Sequence, residues 1–397
     1  MKICFYSVHD PEPTVGGIER FCLNLIPELQ KKHDIFFCCL HQHRREPLTG
    51  VVMCKLPDTT PINSSKNKEV LHNFLLENNI DILLAHSYNP ICENSILGTN
   101  VRLIYEHHSE PRALGLDAFD LLAEQRYNAL QGGSIFPYLY SLLKFPISYL
   151  ARNYRKGKHL KKMYDVCDQF VLLSPHFLSI FKRYAKIKKL DHASYISNPV
   201  KPIINTVDYT LKKKQILVVS RMELRAKRID RILHIWKKLQ SEFDDWELVI
   251  VGDGPRYHFF LDLAQKLNLK RVLFTGAQDP SDFYKESPIL CLTSTHEGFG
   301  LVLVEAQQHG CVPVAFSSYA SVRDIITHGK NGMLVRPFSI KQYVNTLRWL
   351  ITHPNEREEM GRNGELSAQR FNPTSIAKQW DALFQRVMDT PKHKVSS

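Results

Sequence analysis

"PILCLTSTHEGFGLVLVEAQQHGCVPVAFS", residues 288–317, decides the fold. "PILCLTS" is a continuous apolar run, the kind that forms a strand buried on both faces. "THEGFG" carries turn residues, and "LVLVEAQQ" has to become helix because "HGCVPV" opens another buried run. Strand, turn, helix and strand make the repeating unit of a parallel sheet. In an open sheet of this kind, ligands bind at the carboxyl ends of the strands. A helix starting near Gly300 aims free backbone N–H groups at that edge, and Gly298 and Gly300 let an anion approach closely. Glu297 lies in the turn and Glu305 about 1.5 turns into the helix. A carboxylate accepts hydrogen bonds from vicinal hydroxyls, so two of them beside an anion site suit sugars on either side of a phosphate. Spacing alone fits two surface glutamates equally well; the strand–turn–helix context favours the ligand.

Outward from this stretch the same alternation continues. "KQILVVSR", "WELVIVGDGP" and "RVLFTGA" read as strands, and "RIDRILHIWKKLQSEF" and "RYHFFLDLAQKLNL" as helices. The first half repeats the pattern with "KICFYSV", "HDIFFCCL", "DILLAHS" and "RLIYEHH" as buried strands. The fold class is therefore α/β, with two doubly wound Rossmann-like units. A first domain is expected over 1–200 and a second over 201–373. The linker is placed in the proline-bearing, aperiodic stretch 197–214. A terminal helix is expected over 374–390.

Other strand ends carry chemistry. In "VVSRMELRAKRIDRIL", Arg221 and Lys227 flank a short loop and can neutralise a diphosphate; Arg225 or Arg228 fits the second place equally well. "VIVGDGP" sets Gly252 in a tight turn at the same sheet edge. "PTVGGIER" puts Gly16 and Gly17 between the first strand and first helix, without the G-x-G-x-x-G of a dinucleotide site. "IYEHHSEP" ends a strand with Glu106, His107, His108 and Glu110. His107 and His108 are candidates for touching a reacting group, and a structural polar cluster is the competing reading.

Composition narrows the classes. The chain has 397 residues, 44% of them hydrophobic and 23% charged, and a net charge of +12. That balance suits an anionic partner. No RNA-binding, zinc-finger or helix-turn-helix pattern accompanies it, so nucleic acid is not expected. Nine cysteines occur without a C-x-x-C pair, several inside apolar runs, and read as reduced core residues. There is no H-E-x-x-H, and no D-x-D closes a strand. The amino terminus lacks a signal-peptide core, and no apolar run of about 20 residues exists. Residues 134–164 interleave aromatic and aliphatic residues with Lys144, Arg152, Arg155, Lys156, Lys158, Lys161 and Lys162, and hold no acidic residue. This composition suits an interfacial segment on anionic lipid and, equally, a helix with a solvated basic face.

The motifs "GGIER", "SRMELRAKRIDRIL", "VGDGP", "EGFGLVLVEA" and "GKNGMLV" together resemble the GT4 family of retaining glycosyltransferases, in its order and spacing. The resemblance covers the second half and the first loop. It implies a GT-B fold, two Rossmann-like domains facing across a cleft, with the last helix crossing back to the first domain. It implies a nucleotide-diphosphate-sugar donor, UDP-sugar by default, and a saccharide or lipid-linked saccharide acceptor. Glu305 would hold the ribose and Glu297 the donor sugar. Arg221 and Lys227 would bind the diphosphate. Phe299, Gly300 and Leu301 would offer backbone N–H groups, and Gly252 would belong to the donor site. Gly16 and Gly17 would admit the diphosphate, and His107 or His108 would sit near the donor sugar. No metal or other cofactor is expected. Asp324 stands where several relatives have Glu, and Gln307 and Gln308 where many have smaller residues. The likeness is strongest to bacterial transferases of capsule, O-antigen and lipopolysaccharide assembly, which implies a cytoplasmic protein at the inner membrane face. A non-catalytic subunit of the same fold, or a nucleotide-sugar epimerase, is the alternative.

Overall fold

The computed structural model describes residues 1–397 apart from 13–15, 45, 47, 87–88, 113–121, 123–124, 127–128, 130–133, 204–205 and 394–397. Packing divides the chain into two units. The first is Met1–Pro111, Arg155–Lys201 and Phe371–Ser397; the second is Arg112–Tyr154 and Pro202–Arg370.

The first unit is built on strands β1 (Lys2–His9), β2 (Asp34–His41), β3 (Val51–Lys55), β4 (Ile82–Ala85), β5 (Arg102–His107), β6 (Gln169–Leu172) and β7 (Ala193–Tyr195). They form one parallel sheet in the order β3-β2-β1-β4-β5-β6-β7. The strands are apolar on both faces because helices cover both, as parallel sheets require. The order reverses at β1, which pairs with β2 on one side and β4 on the other. That is the switch point where ligands bind in open sheets.

Helix α1 (Gly17–Leu29) covers one face, and the terminal helix Pro373–Asp389 packs into the same core. The terminal helix buries Ile376, Ala377, Trp380, Leu383, Phe384 and Val387, a single helical stripe. Asn372 caps it, its side chain accepting from the Thr374 N–H at 2.9 Å, and Pro373 takes the first turn.

The second unit holds β8 (Gln215–Val219), β9 (Glu247–Val251), β10 (Val272–Gly276), β11 (Ile289–Leu292), β12 (Val312–Phe316) and β13 (Met333–Val335). Their order is β10-β9-β8-β11-β12-β13, parallel throughout. The switch point therefore lies between β8 and β11. Ile216, Trp236, Ile250, Val314 and Phe316 belong to its core.

The sequence reading placed 1–200 in the first domain, while packing sets Arg112–Tyr154 in the second unit. Phe136–Val166 is one helix, and its buried residues, Gly157, Leu160, Met163 and Tyr164, all lie beyond residue 154. No side chain in 136–154 is buried.

Candidate functional site

In the second unit the chain leaves buried β11, turns through 293–300 and enters a helix at Leu301–Gln308. Gly300 sits at the helix start with φ 99°, a left-handed conformation that disfavours any side chain. A Cβ there would also meet the Tyr319 hydroxyl at 3.2 Å and Leu303 Cδ1 at 3.3 Å. The first N–H groups of the helix thus open at the carboxyl edge of the sheet.

The loop after β8 meets this turn. Thr295 N–H donates to the Ala226 carbonyl at 2.7 Å, which joins the two loops across the switch point. Lys227 Nζ donates to both oxygens of Glu297, at 2.7 and 2.8 Å. Ser294 Oγ donates to Glu297 Oε1 at 2.7 Å. Two of the three candidates for the second cation take different partners. Arg228 takes φ 50° and turns its guanidinium onto Asp230, at 2.9 and 2.8 Å, while Lys227 reaches Glu297.

Arg221 lies in the same loop. Its side chain is 64% exposed and pairs with Glu223 at 2.9 Å. The turn after β9 backs this loop: Met222 N–H donates to the Asp253 carbonyl at 2.9 Å. Gly252, at φ 138°, has its own steric reason, because a Cβ would fall 2.0 Å from the Ser220 carbonyl oxygen. The residue shapes the Arg221 loop as well as standing among the donor candidates.

Glu305 is buried in the helix that Gly300 starts. Tyr284 Oη donates to its Oε2 at 2.9 Å. His309, one turn on, donates from Nδ1 to the Glu305 carbonyl at 2.8 Å and stacks on Tyr284. Burial, then Lys212 and Lys285, push the His309 imidazole down to about 4. Lys212 is itself lowered by burial and donates to the carbonyls of Tyr284, Ser287 and His309. Tyr284, His309, Lys212 and Ser294 were missed by the sequence reading. His309 carried the one available signal, its i+4 spacing from Glu305. Gln307 is fully buried and donates to the carbonyls of Ile325 and Asn331, so its larger side chain ties the helix to its neighbours.

In the first unit, Gly16 caps α1 with extended backbone, and a Cβ on Gly17 would meet nothing within 4 Å. His107 ends β5, buried and stacked on Phe170. Burial, then Lys156, hold its imidazole well below the usual range. His108 takes the opposite face, beside Phe21 and His86.

Comparison with known proteins follows this geometry. Residues 204–367 match the family model "Glycosyl transferases group 1". That match covers nearly all of the second unit beyond Pro202, which is therefore similar to group 1 glycosyl transferase domains. An uncharacterized glycosyltransferase of Haemophilus influenzae is 28% identical over 57% of this chain and 63% of its own length. The amylovoran biosynthesis glycosyltransferase AmsD of Erwinia amylovora is 25% identical over 55% of this chain and 63% of its own. The chain thus spans about three fifths of these relatives. The structure of HepE from Anabaena in complex with UDP and glucose superposes with a TM-score of 0.71 at 15% identity, covering 97% of this chain and 100% of that one. The chain has the GT-B fold, two Rossmann-like units. Among its described residues no helix is long and apolar enough to cross a membrane.

Proposed function

We propose that the protein is a retaining glycosyltransferase that moves a sugar from a UDP-sugar to a lipid-linked saccharide in surface-polysaccharide assembly. The observation that carries this reading is the Lys227–Glu297 pair at the switch point of a group 1 transferase domain. The nucleoside diphosphate is a good leaving group, and the main task is to stabilise the charge it develops. Arg221, Lys227 and the helix start at Gly300 supply that charge stabilisation; no divalent ion is assigned to the diphosphate. Phe299, Gly300 and Leu301 offer N–H groups to it. Glu305 holds the ribose. Glu297 exchanges Lys227 for the donor sugar's hydroxyls as the diphosphate takes over the ammonium.

HepE, solved with UDP and glucose, and AmsD, a polysaccharide biosynthesis enzyme by name, support the donor and the process. The exposed apolar stripe on 136–154, flanked by basic residues, supports an acceptor at an anionic membrane surface.

A thermal-shift screen with UDP, GDP, ADP and CMP tests the donor. A ligand at 100 times its dissociation constant stabilises by about 2.7 kcal/mol. A selective shift with UDP, lost in Glu305→Ala, is expected. No shift with any nucleotide would move the non-catalytic subunit to the front.

A further inference from the structure

A second cluster of polar side chains lies wholly in the first unit, at the carboxyl ends of β4 and β5. His86 follows β4, Glu106 lies in β5 and His108 follows it. His86 Nδ1 is 3.0 Å and His108 Nε2 3.1 Å from Glu106 Oε2. The two nitrogens are 3.0 Å from each other. The three atoms form a nearly equilateral triangle. The side chains of His86 and Glu106 are 0% exposed and that of His108 is 9%.

With Glu106 ionised, as its lowered pKa favours, no placement of protons on the two nitrogens leaves the triangle free of an opposed pair. With a hydrogen on both nitrogens, two N–H groups oppose each other. With a hydrogen on neither, both lone pairs face the carboxylate oxygen. With one hydrogen, it is divided between two acceptors, and the other nitrogen still faces the carboxylate with its lone pair. Among the described residues, Glu106 Oε1 and His108 Nδ1 also lack a hydrogen-bond partner. Unpaired polar atoms buried this deeply are costly.

We propose that His86, Glu106 and His108 bind a divalent transition-metal ion of the zinc or ferrous type. Two imidazoles and one carboxylate are the ligand set such ions favour. Ligand atoms about 2.1 Å from a metal lie about 3.0 Å apart on an octahedral face, the spacing seen here, and about 3.4 Å apart in a tetrahedral zinc site, which a small shift of the imidazoles would reach. One cation then turns three opposed lone pairs into three bonds and offsets the buried carboxylate charge. The surroundings fit a metal ligand set. His86 Nε2 is turned to Cys22 Sγ at 3.7 Å, which orients the ring, and Phe21 lies edge-on to both imidazoles. The ion would pin β4 to β5 beside the switch point of the first sheet. The assignment rests on these three side chains alone and not on the proposed transferase reaction.

The test uses the full chain without a histidine tag, stripped with a chelator and reloaded with Zn²⁺ or Co²⁺. One equivalent of zinc by elemental analysis and a higher melting temperature than the stripped protein are expected. Bound cobalt should absorb in the visible without a thiolate charge-transfer band. Glu106→Gln and His108→Ala should each weaken zinc binding at least tenfold. The wild-type cobalt spectrum does not depend on how the variants fold. No stoichiometric metal would overturn the site, as would a cobalt–thiolate band or full binding retained in both variants.

Discussion

Lys227 and Glu297, 70 residues apart in the chain, meet through two hydrogen bonds of 2.7 and 2.8 Å across the switch point of the second sheet. Both side chains are mostly buried, at 26% and 12% exposed, so the pair is neither a solvated surface contact nor a fully desolvated one. If the donor takes the two charges over together, they act as one unit. Lys227→Ala and Glu297→Gln should each lower kcat/KM about 100-fold or more, the scale of losing one charge-stabilising group. The double variant should fall far short of the product of the two losses. Steady-state UDP release measures this. Full additivity would mean that the two residues serve separate ends of the reaction.

Glu305 makes a different prediction, because Tyr284 donates a hydrogen bond to its carboxylate. Tyr284→Phe removes one buried hydrogen bond, worth about 1 kcal/mol. Nucleotide affinity should drop about fivefold while kcat stays near the wild-type value, since Tyr284 only positions the carboxylate. Glu305→Ala should lose most of the wild-type preference for UDP over 2′-deoxy-UDP. Calorimetry with both nucleotides checks this, and a preference kept intact in Glu305→Ala would remove the ribose assignment.

His309 links the same region to pH. Its folded imidazole titrates at about 4, against roughly 6.5 in an unfolded chain. Above both values it is neutral in both states and adds no pH dependence. Between them the unfolded chain binds the extra proton, so acid favours unfolding. Stability should therefore fall as pH drops from about 6.5 towards 4, by an amount of order 3 kcal/mol from this residue. The shift arises from burial, Lys212 and Lys285, with Asp279 opposing. Melting temperature followed over this range should slope more gently in His309→Asn, and an unchanged slope would place the acid sensitivity elsewhere.

The parts of the site legible in the sequence are those made by local rules. A left-handed start at Gly300, a turn bearing Glu297 and a helix bearing Glu305 all follow from residues within one strand–turn–helix. The choice among Arg225, Lys227 and Arg228 was not legible, because it depends on the loop path. Arg228 reaches positive φ and is captured by Asp230. Tyr284 was equally hidden, since its partner is 21 residues away and the sheet decides that they meet. In the first unit, "YEHHSEP" displayed Glu106 and His108 but not His86, whose place beside them comes from β4 pairing with β5.

The helix over 136–154 gives the last prediction. Phe136, Leu139, Leu143, Ile147, Leu150 and Tyr154 are exposed at helical spacing, with Leu143 81% and Ile147 75% accessible. Water is a poor solvent for such a stripe, and burial of each aliphatic side chain is worth about 1.5–3 kcal/mol. Lys144, Arg152, Arg155 and Lys158 add about 1 kcal/mol each near an anionic surface. Lys161 and Lys162 should add less, because Asp165 and Glu93 already pair with them. The two contributions separate by salt, since only the electrostatic one is screened. Leu143→Glu with Ile147→Glu should cut co-sedimentation with phosphatidylglycerol vesicles at least tenfold at every salt concentration. Lys156, Lys158, Lys161 and Lys162 changed to Glu should weaken it mainly at low salt. Melting temperatures should hold for the Leu143 and Ile147 changes, because neither side chain supports a core. Equal sedimentation of wild type and both variants, or binding indifferent to anionic lipid, would leave the stripe without a membrane role.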